Sequence, residues 1–254
     1  MLFSIGFWSL VRREITRFIS VFNQTILPPL ISTFLYIFIF GYSIGSHLEK
    51  IQGFSYIHYL IPGLMMMHVI ESSYINTSSS IFISRWANYI EELLVTPLSY
   101  LQMVFAILVG GLVRSGIILL GIWCVSLIFV QALPAHPAIV FFFFIFVSLS
   151  FSSLGMIVAL CAEEFEHLSI ASIFVITPLV FLGGVFNSIS MMPPALRWIA
   201  FLNPMFYMIS GLRYGMLGTS DVPLGYSVAV VIFLFLTLFS TTVYLFKIGF
   251  KLRK

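Results

Sequence analysis

The segment 138–163, AIVFFFFIFVSLSFSSLGMIVALCAE, carries no charged side chain before its last residue. A helix needs about 20 apolar residues to cross roughly 30 Å of hydrocarbon. Five further segments meet that need: 24–46, 56–80, 100–131, 168–187 and 226–247. The expected fold is therefore an all-α membrane protein with six transmembrane helices, in one domain covering 1–254. The stretch 100–131 is long enough to tilt or to begin outside the hydrocarbon. Composition agrees, because only 8% of the 254 residues are charged, against about 25% in a soluble domain.

Basic residues orient these spans. Arg12, Arg13, Arg17, Arg85, Lys247, Lys251, Arg253 and Lys254 fall on one face of a six-span chain, while Lys50, Arg197 and Arg213 fall on the other. The positive-inside rule places both termini, and the segment 84–99, in the cytoplasm. The N-terminal MLFSIGFWSLVRREITRF is no secretory signal, because its charges follow the apolar residues instead of preceding them. Phe3, Phe7, Leu10, Ile15 and Phe18 share one helical face away from the arginines, which predicts an interface helix over 1–20. The net charge of +3 is scattered along the chain, so no nucleic-acid surface is expected.

Two interruptions stand out. IEELLVTPLSY (90–100) places two adjacent acids and a Thr-Pro break between the second and third spans. The segment 188–225 is cut by Pro193, Pro194 and Pro204 into pieces too short to cross. Such backbone survives at membrane depth only when it is buried in protein or lines water, so a re-entrant helical hairpin from the outer side, or a flat surface helix, is expected there.

Polar residues also fall inside the spans. His68, Glu71, Ser72, Ile75 and Ser79 follow helical spacing, and a charged Glu near mid-membrane costs about 2.5–3.5 kcal/mol. The stripe must face other helices or water, either as packing glue or as the wall of a passage. Arg114 sits at a different depth from Glu71 and is expected to bond backbone carbonyls or the outer hairpin. Cys124 and Cys161 read as small buried hydrophobes rather than a disulfide or metal site. The chain has no metalloprotease or serine-hydrolase motif and no phosphate-binding lysine loop. It is expected to hold no metal or cofactor and to hydrolyse no ATP itself. An intramembrane enzyme would need catalytic polar groups at one depth, and Asp221, the lone aspartate, lies near the surface in this reading. A proton-coupled secondary carrier using Glu71 and Arg114 is the alternative to an ATP-driven one; an uncoupler would stop it.

NYIEELLVTPLSY (88–100), TPLVFLGGVFNSISMMPPALRWIAFLNPMFYMISGLRYG (177–215) and FSYIHYLIPGLMMM (54–67) together resemble the ABC-2 type transporter permeases. That family includes daunorubicin-type drug exporters, nodulation-factor exporters and polysaccharide exporters, and the likeness is greatest to enteric inner-membrane permeases. The resemblance implies an exporter subunit of the bacterial inner membrane, working as a homodimer with two copies of a separate ATPase subunit that binds ATP and Mg. It implies that 84–97 is a coupling helix docking on that ATPase, with Arg85, Trp86, Tyr89, Glu91, Glu92 and Leu93 on it and Thr96-Pro97 as the turn into the third span. Arg12, Arg13 and Glu14, and the turn at Glu163 and Glu164, would flank the same partner. Glu71, Ser72, Tyr74, Asn76, Phe181 and Phe186 would line the path, for an amphipathic drug, lipid or oligosaccharide. The outer region 188–225 would form the re-entrant hairpin, with Pro193, Pro194, Arg197, Asn203, Pro204 and Arg213.

Overall fold

A computed structural model describes residues 5–44 and 50–252. Phe3, Gly45, the end of the first expected span at 46, and Arg253 and Lys254 lie outside the described residues. Among the described residues the chain is helical and forms no strand. Five helical stretches are long and apolar enough to cross a membrane: Phe22–Gly41, Tyr100–Ser126, Pro137–Cys161, Phe165–Leu182 and Leu224–Ile248.

The N-terminal helix α1 (Ile5–Ile19) packs lengthwise on the first half of α6 (Tyr100–Ser126). Phe7, Leu10 and Val11 meet Met103 and Ala106. A short α2 (Phe22–Thr25) makes an elbow, and α3 (Leu27–Phe38) follows. Pro28 and Pro29 occupy the first turn of α3, where a missing N–H is harmless, so the first expected span begins as two pieces. A wider π turn, Ile39–Ile44, ends it.

The second expected span is α4 (Tyr56–Trp86), 31 residues long. It is long enough to cross but is not among the five apolar stretches, because His68, Glu71, Asn76 and seven hydroxyl side chains (Ser72, Ser73, Tyr74, Thr77, Ser78, Ser79, Ser80) interrupt its apolar surface. It is nevertheless the centre of the fold. Every residue from Ile61 to Ile70 is buried, against α6, α7 (Pro137–Cys161) and α11 (Pro204–Leu217). The polar face is internal glue. Ser73 donates to Ser148 at 3.0 Å, Ser148 and Ser115 lie 2.8 Å apart, and Thr77 donates to the Ser152 carbonyl at 2.8 Å. Gly155 of α7 sits where a Cβ would overlap Thr77 and the Tyr74 carbonyl, the close approach that small residues permit between membrane helices.

The fifth expected span divides into α8 (Phe165–Ile170), a π turn at Ala171–Ile176, and α9 (Thr177–Leu182). Pro178 lacks the N–H that would continue the ladder, and the wider turn absorbs the break. Gly184, at φ +87°, turns the chain back. Then α10 (Pro194–Leu202) and α11 form a helical hairpin hinged at Asn203-Pro204. Trp198 and Leu202 leave α10 largely exposed, whereas α11 is buried. The spacing GLRYG (211–215) is used fully: a Cβ on Gly211 would overlap Phe143, and one on Gly215 would meet Val140. Last comes α12 (Leu224–Ile248), ended by Gly249 at φ +71°.

Cys124 and Cys161 correct the expectation: both are exposed on this chain. Hydropathy cannot separate a residue facing lipid from one facing core, since both surroundings are apolar.

Candidate functional site

At Trp86 α4 ends; Asn88 takes the left-handed conformation, φ 60°, which asparagine tolerates. The chain then forms α5 (Tyr89–Val95). The helix expected over 84–97 is thus shorter, because 84–86 complete the last turn of α4. Ile90 is buried and Leu93 half-buried, the latter packed with Leu98 against the α1–α6 cluster. Tyr89, Glu91, Glu92 and Val95 point outward, with Val95 84% exposed. Exposed Thr96 and Pro97 stop the helix, and Thr96 Oγ1 donates to the Leu93 carbonyl at 2.6 Å. Ser99 and Gln102 form a capping box that starts α6, two orphan N–H groups satisfied reciprocally.

Concave surfaces flank α5. A groove of about 280 Å³ is lined by Arg85, Trp86, Asn88 and Glu91, with Glu163 and Lys251 opposite. A wider cleft of about 690 Å³ separates α5, at Tyr89 and Glu92, from Arg12, Arg13 and Arg17 of α1. A third, beside Trp86, is lined by Glu163, Glu164 and Glu166. The structure therefore brings Arg12, Arg13, Glu163 and Glu164 to the same end of the molecule as α5. Arg85 is bonded inward, donating to the carbonyls of Ala159 and Ala162 at the C-terminus of α7, where orphan carbonyls favour a cation.

Glu14 differs from its expected place at a docking surface. It is fully buried, accepting from Ser80 at 2.7 Å, Arg13 at 2.9 Å and Arg17 at 3.4 Å. Arg17 also donates to the Asn76 carbonyl at 2.8 Å, to Asn76 Oδ1 at 3.1 Å and to Ser79 at 3.3 Å. Burial lowers the Arg17 pKa and the charge of Glu14 opposes that, so the group stays a cation. This cluster fastens α1 to α4, and a Cβ on Gly110 would stand only 2.7 Å from Glu14 Cβ.

The expected path residues separate into two sets. Ser72, Tyr74 and Asn76 are buried between helices, with Tyr74 donating to the Leu168 carbonyl at 3.0 Å. Glu71, Ile75, Ser79 and Ile83 form a partly exposed edge of α4. Glu71 lies 3.6 Å from His68, its side chain 26% exposed. Phe181, exposed, and Phe186, half-buried, contact each other at the end of α9. Arg114 does not meet Glu71; it donates to the Thr25 carbonyl at 3.4 Å, a backbone acceptor as expected.

In the α10–α11 hairpin, Pro193 and Pro194 open α10, and exposed Arg197 donates to the Met192 carbonyl at 2.8 Å. Asn203 caps α11 through the Met205 N–H and donates to the Leu179 carbonyl, tying the hinge to α9. Arg213 is fully buried, stacked 3.8 Å over the Tyr59 ring, bonded to the Gly184 carbonyl at 2.7 Å and paired with Asp221 at 3.0 Å. Asp221, expected near the surface, has a side chain only 3% exposed. It also accepts from Gln52 at 2.9 Å, Ser188 at 2.8 Å and Tyr59 at 3.2 Å. The sequence signal was available: one aspartate amid apolar spans must find a partner.

A helical membrane domain with an acidic inter-span helix and an outer hairpin defines a class of transport permease, and the chain belongs to the ABC-2 type transporter family, whose sequence profile matches residues 5–217. Permeases of this family work with an ATPase subunit. The chain is 39% identical over 223 residues to "Inner membrane transport permease YadH" of Escherichia coli K12, covering 88% of this chain and 87% of the relative. It is 27% identical over 220 residues to "Nodulation protein J" of Rhizobium meliloti, covering 84% and 82%. The first of these relatives is named as a transport permease of the inner membrane.

Proposed function

We propose that this chain is the membrane half of an ATP-driven exporter, and that α5 is the helix docking on a separate ATPase subunit. The observation that carries the reading is α5 itself: a seven-residue helix with Glu91 and Glu92 outward, set between concave surfaces at one end of the molecule. The clustering of Arg12, Arg13, Arg17, Arg85 and Lys251 at that end supports a cytoplasmic position. A push on α5 has three routes into the fold. Covalently it reaches α4 and α6, through Arg85 it reaches the end of α7, and through Leu93 it reaches α1.

Two copies complete the path in this reading. The edge of α4 with Glu71 lies between α3 and the α8–α9 segment, and an exposed glutamate on an apolar surface calls for water or protein rather than lipid. A two-fold axis would bring the two edges together. Glu71 and the aromatic side chains of Phe181 and Phe186 then border a passage suited to amphipathic cargo, with Ser72, Tyr74 and Asn76 bracing the wall. ATP-driven closure of the paired ATPases would move α5 and rock α4 until the midline opens outward.

Replacing Glu91 and Glu92 together by Lys reverses the charge of the docking face without touching the core. The expected result is loss of ATPase co-purification from membranes that still contain the permease in normal amount. Unchanged ATPase recovery would remove α5 from the interface.

A further inference from the structure

Arg114, in the middle of α6, is 7% exposed. Its one described bond, to the Thr25 carbonyl at 3.4 Å, is long for a hydrogen bond. Its Nε has no partner, and neither has that of Arg17. Arg17 bonds Glu14 and Asn76, and both of these lie against Gly110, one turn before Arg114 on α6. Among the described residues the carboxylate in this cluster is Glu14, which Arg13 and Arg17 already share. Arg13 and Arg17 are 44% and 29% exposed and share Glu14, whereas Arg114 is buried with no carboxylate of its own. Buried charge is normally paired, so this one calls for a counter-ion from outside the chain.

Arg17 lines open space, and Arg114 lies behind it. The cleft between α1 and α5 includes Arg17 and Ser20, with Arg12, Arg13, Glu14 and Glu92 also on its walls. Residues 19–24, the elbow into α2, are all exposed, and Arg114 touches the elbow at Thr25. An amphipathic α1 belongs at the headgroup layer, where the cytoplasmic leaflet concentrates anionic phosphates. A planar guanidinium offers paired N–H donors that match phosphate oxygens.

We propose that the elbow between α1 and α3 binds a phosphate-class anion held by Arg17 and Arg114. The source is an anionic phospholipid headgroup or free phosphate; both present the same oxygens. Arg17 and Arg114 both belong to the permease, so the permease alone suffices for the test. Purified protein in nanodiscs of phosphatidylcholine, with and without phosphatidylglycerol, is examined by native mass spectrometry for retained lipid and by thermal melting. Preferential retention of phosphatidylglycerol is expected, weakened about fivefold in Arg114→Gln and by a smaller factor in Arg114→Lys, which preserves the charge but not the paired donors. A melting rise with inorganic phosphate in phosphatidylcholine alone, absent in Arg114→Gln, would instead make free phosphate the ligand. Two results would overturn the site. One is equal retention of both lipids with no phosphate effect; the other is anion binding unchanged in Arg114→Gln. Should Arg114→Gln fail to accumulate, Arg114→Lys against wild type and a phosphate titration of the wild type still decide the matter.

Discussion

Two buried carboxylates organise opposite ends of this molecule in different ways. Asp221, at the hairpin end, is closed. Gln52, Ser188, Tyr59 and Arg213 occupy its two oxygens, and both members of the ion pair are almost wholly buried. Glu14, at the α5 end, is open. It is itself buried, but its partners Arg13 and Arg17 are 44% and 29% exposed and reach a cleft beside α5. One carboxylate balances one guanidinium at the hairpin end, whereas cations are in excess at the α5 end. The lesson is that a saturated, desolvated pair fixes geometry, and an unsaturated one with a route to solvent is where something else can act. In the Asp221 clasp, α4, the turn after α9, the hairpin and the lead-in to α12 become a single block. In the Glu14 clasp, α1 is joined to α4 beside the surface where we place the ATPase.

That contrast is broken most severely by Asp221→Ala. Leaving Arg213 buried without its counter-charge costs about 3–5 kcal/mol, so the variant should melt far below wild type or fail to accumulate in membranes. Replacing both partners by apolar residues, Arg213→Met with Asp221→Leu, should recover most of the loss by the same reasoning, as detergent melting curves would reveal. A double variant as unstable as the single one would make the pair more than a clasp.

Glu14→Gln should have an intermediate effect, about 1–3 kcal/mol, because Arg13 and Arg17 can turn toward water. Its characteristic signature is functional: loosened α1 should uncouple ATP hydrolysis from transport in the reconstituted complex. Normal coupling would confine Glu14 to folding. Smallest of all, Lys251→Ala removes an exposed pair with Glu163 at 3.5 Å, which is worth at most about 1 kcal/mol; melting should be indistinguishable from wild type.

Helix positions were legible in the sequence to the extent that composition and punctuation dictate them. The apolar runs gave α6, α7 and α12; Pro193, Pro194 and Pro204 marked the hairpin; Thr96-Pro97 ended the acidic helix. Arg17 and Glu14 stand one helical turn apart, but the bonds that carry each clasp to another helix were not legible, because those partners lie far apart in the chain. Asp221 meets Gln52 across 169 residues, and Glu14 meets Ser80 across 66. No helical period encodes such pairs. The spacing of the α4 stripe was readable, yet which members are buried and which remain at the edge depends on where α3 and α8 pack. The cysteines failed for the plainest reason, since lipid and core are alike to a hydropathy scale.

The central claim is that α5 lies in the cytoplasm, within reach of a motor. Its most direct test is a single cysteine at Val95, an 84% exposed position of α5, with Cys124 and Cys161 replaced by Ser. A membrane-impermeant maleimide should modify this Val95→Cys protein in inverted membrane vesicles and leave it untouched in intact spheroplasts. Modification from the periplasmic side alone would put α5 beyond any cytoplasmic ATPase and contradict the account.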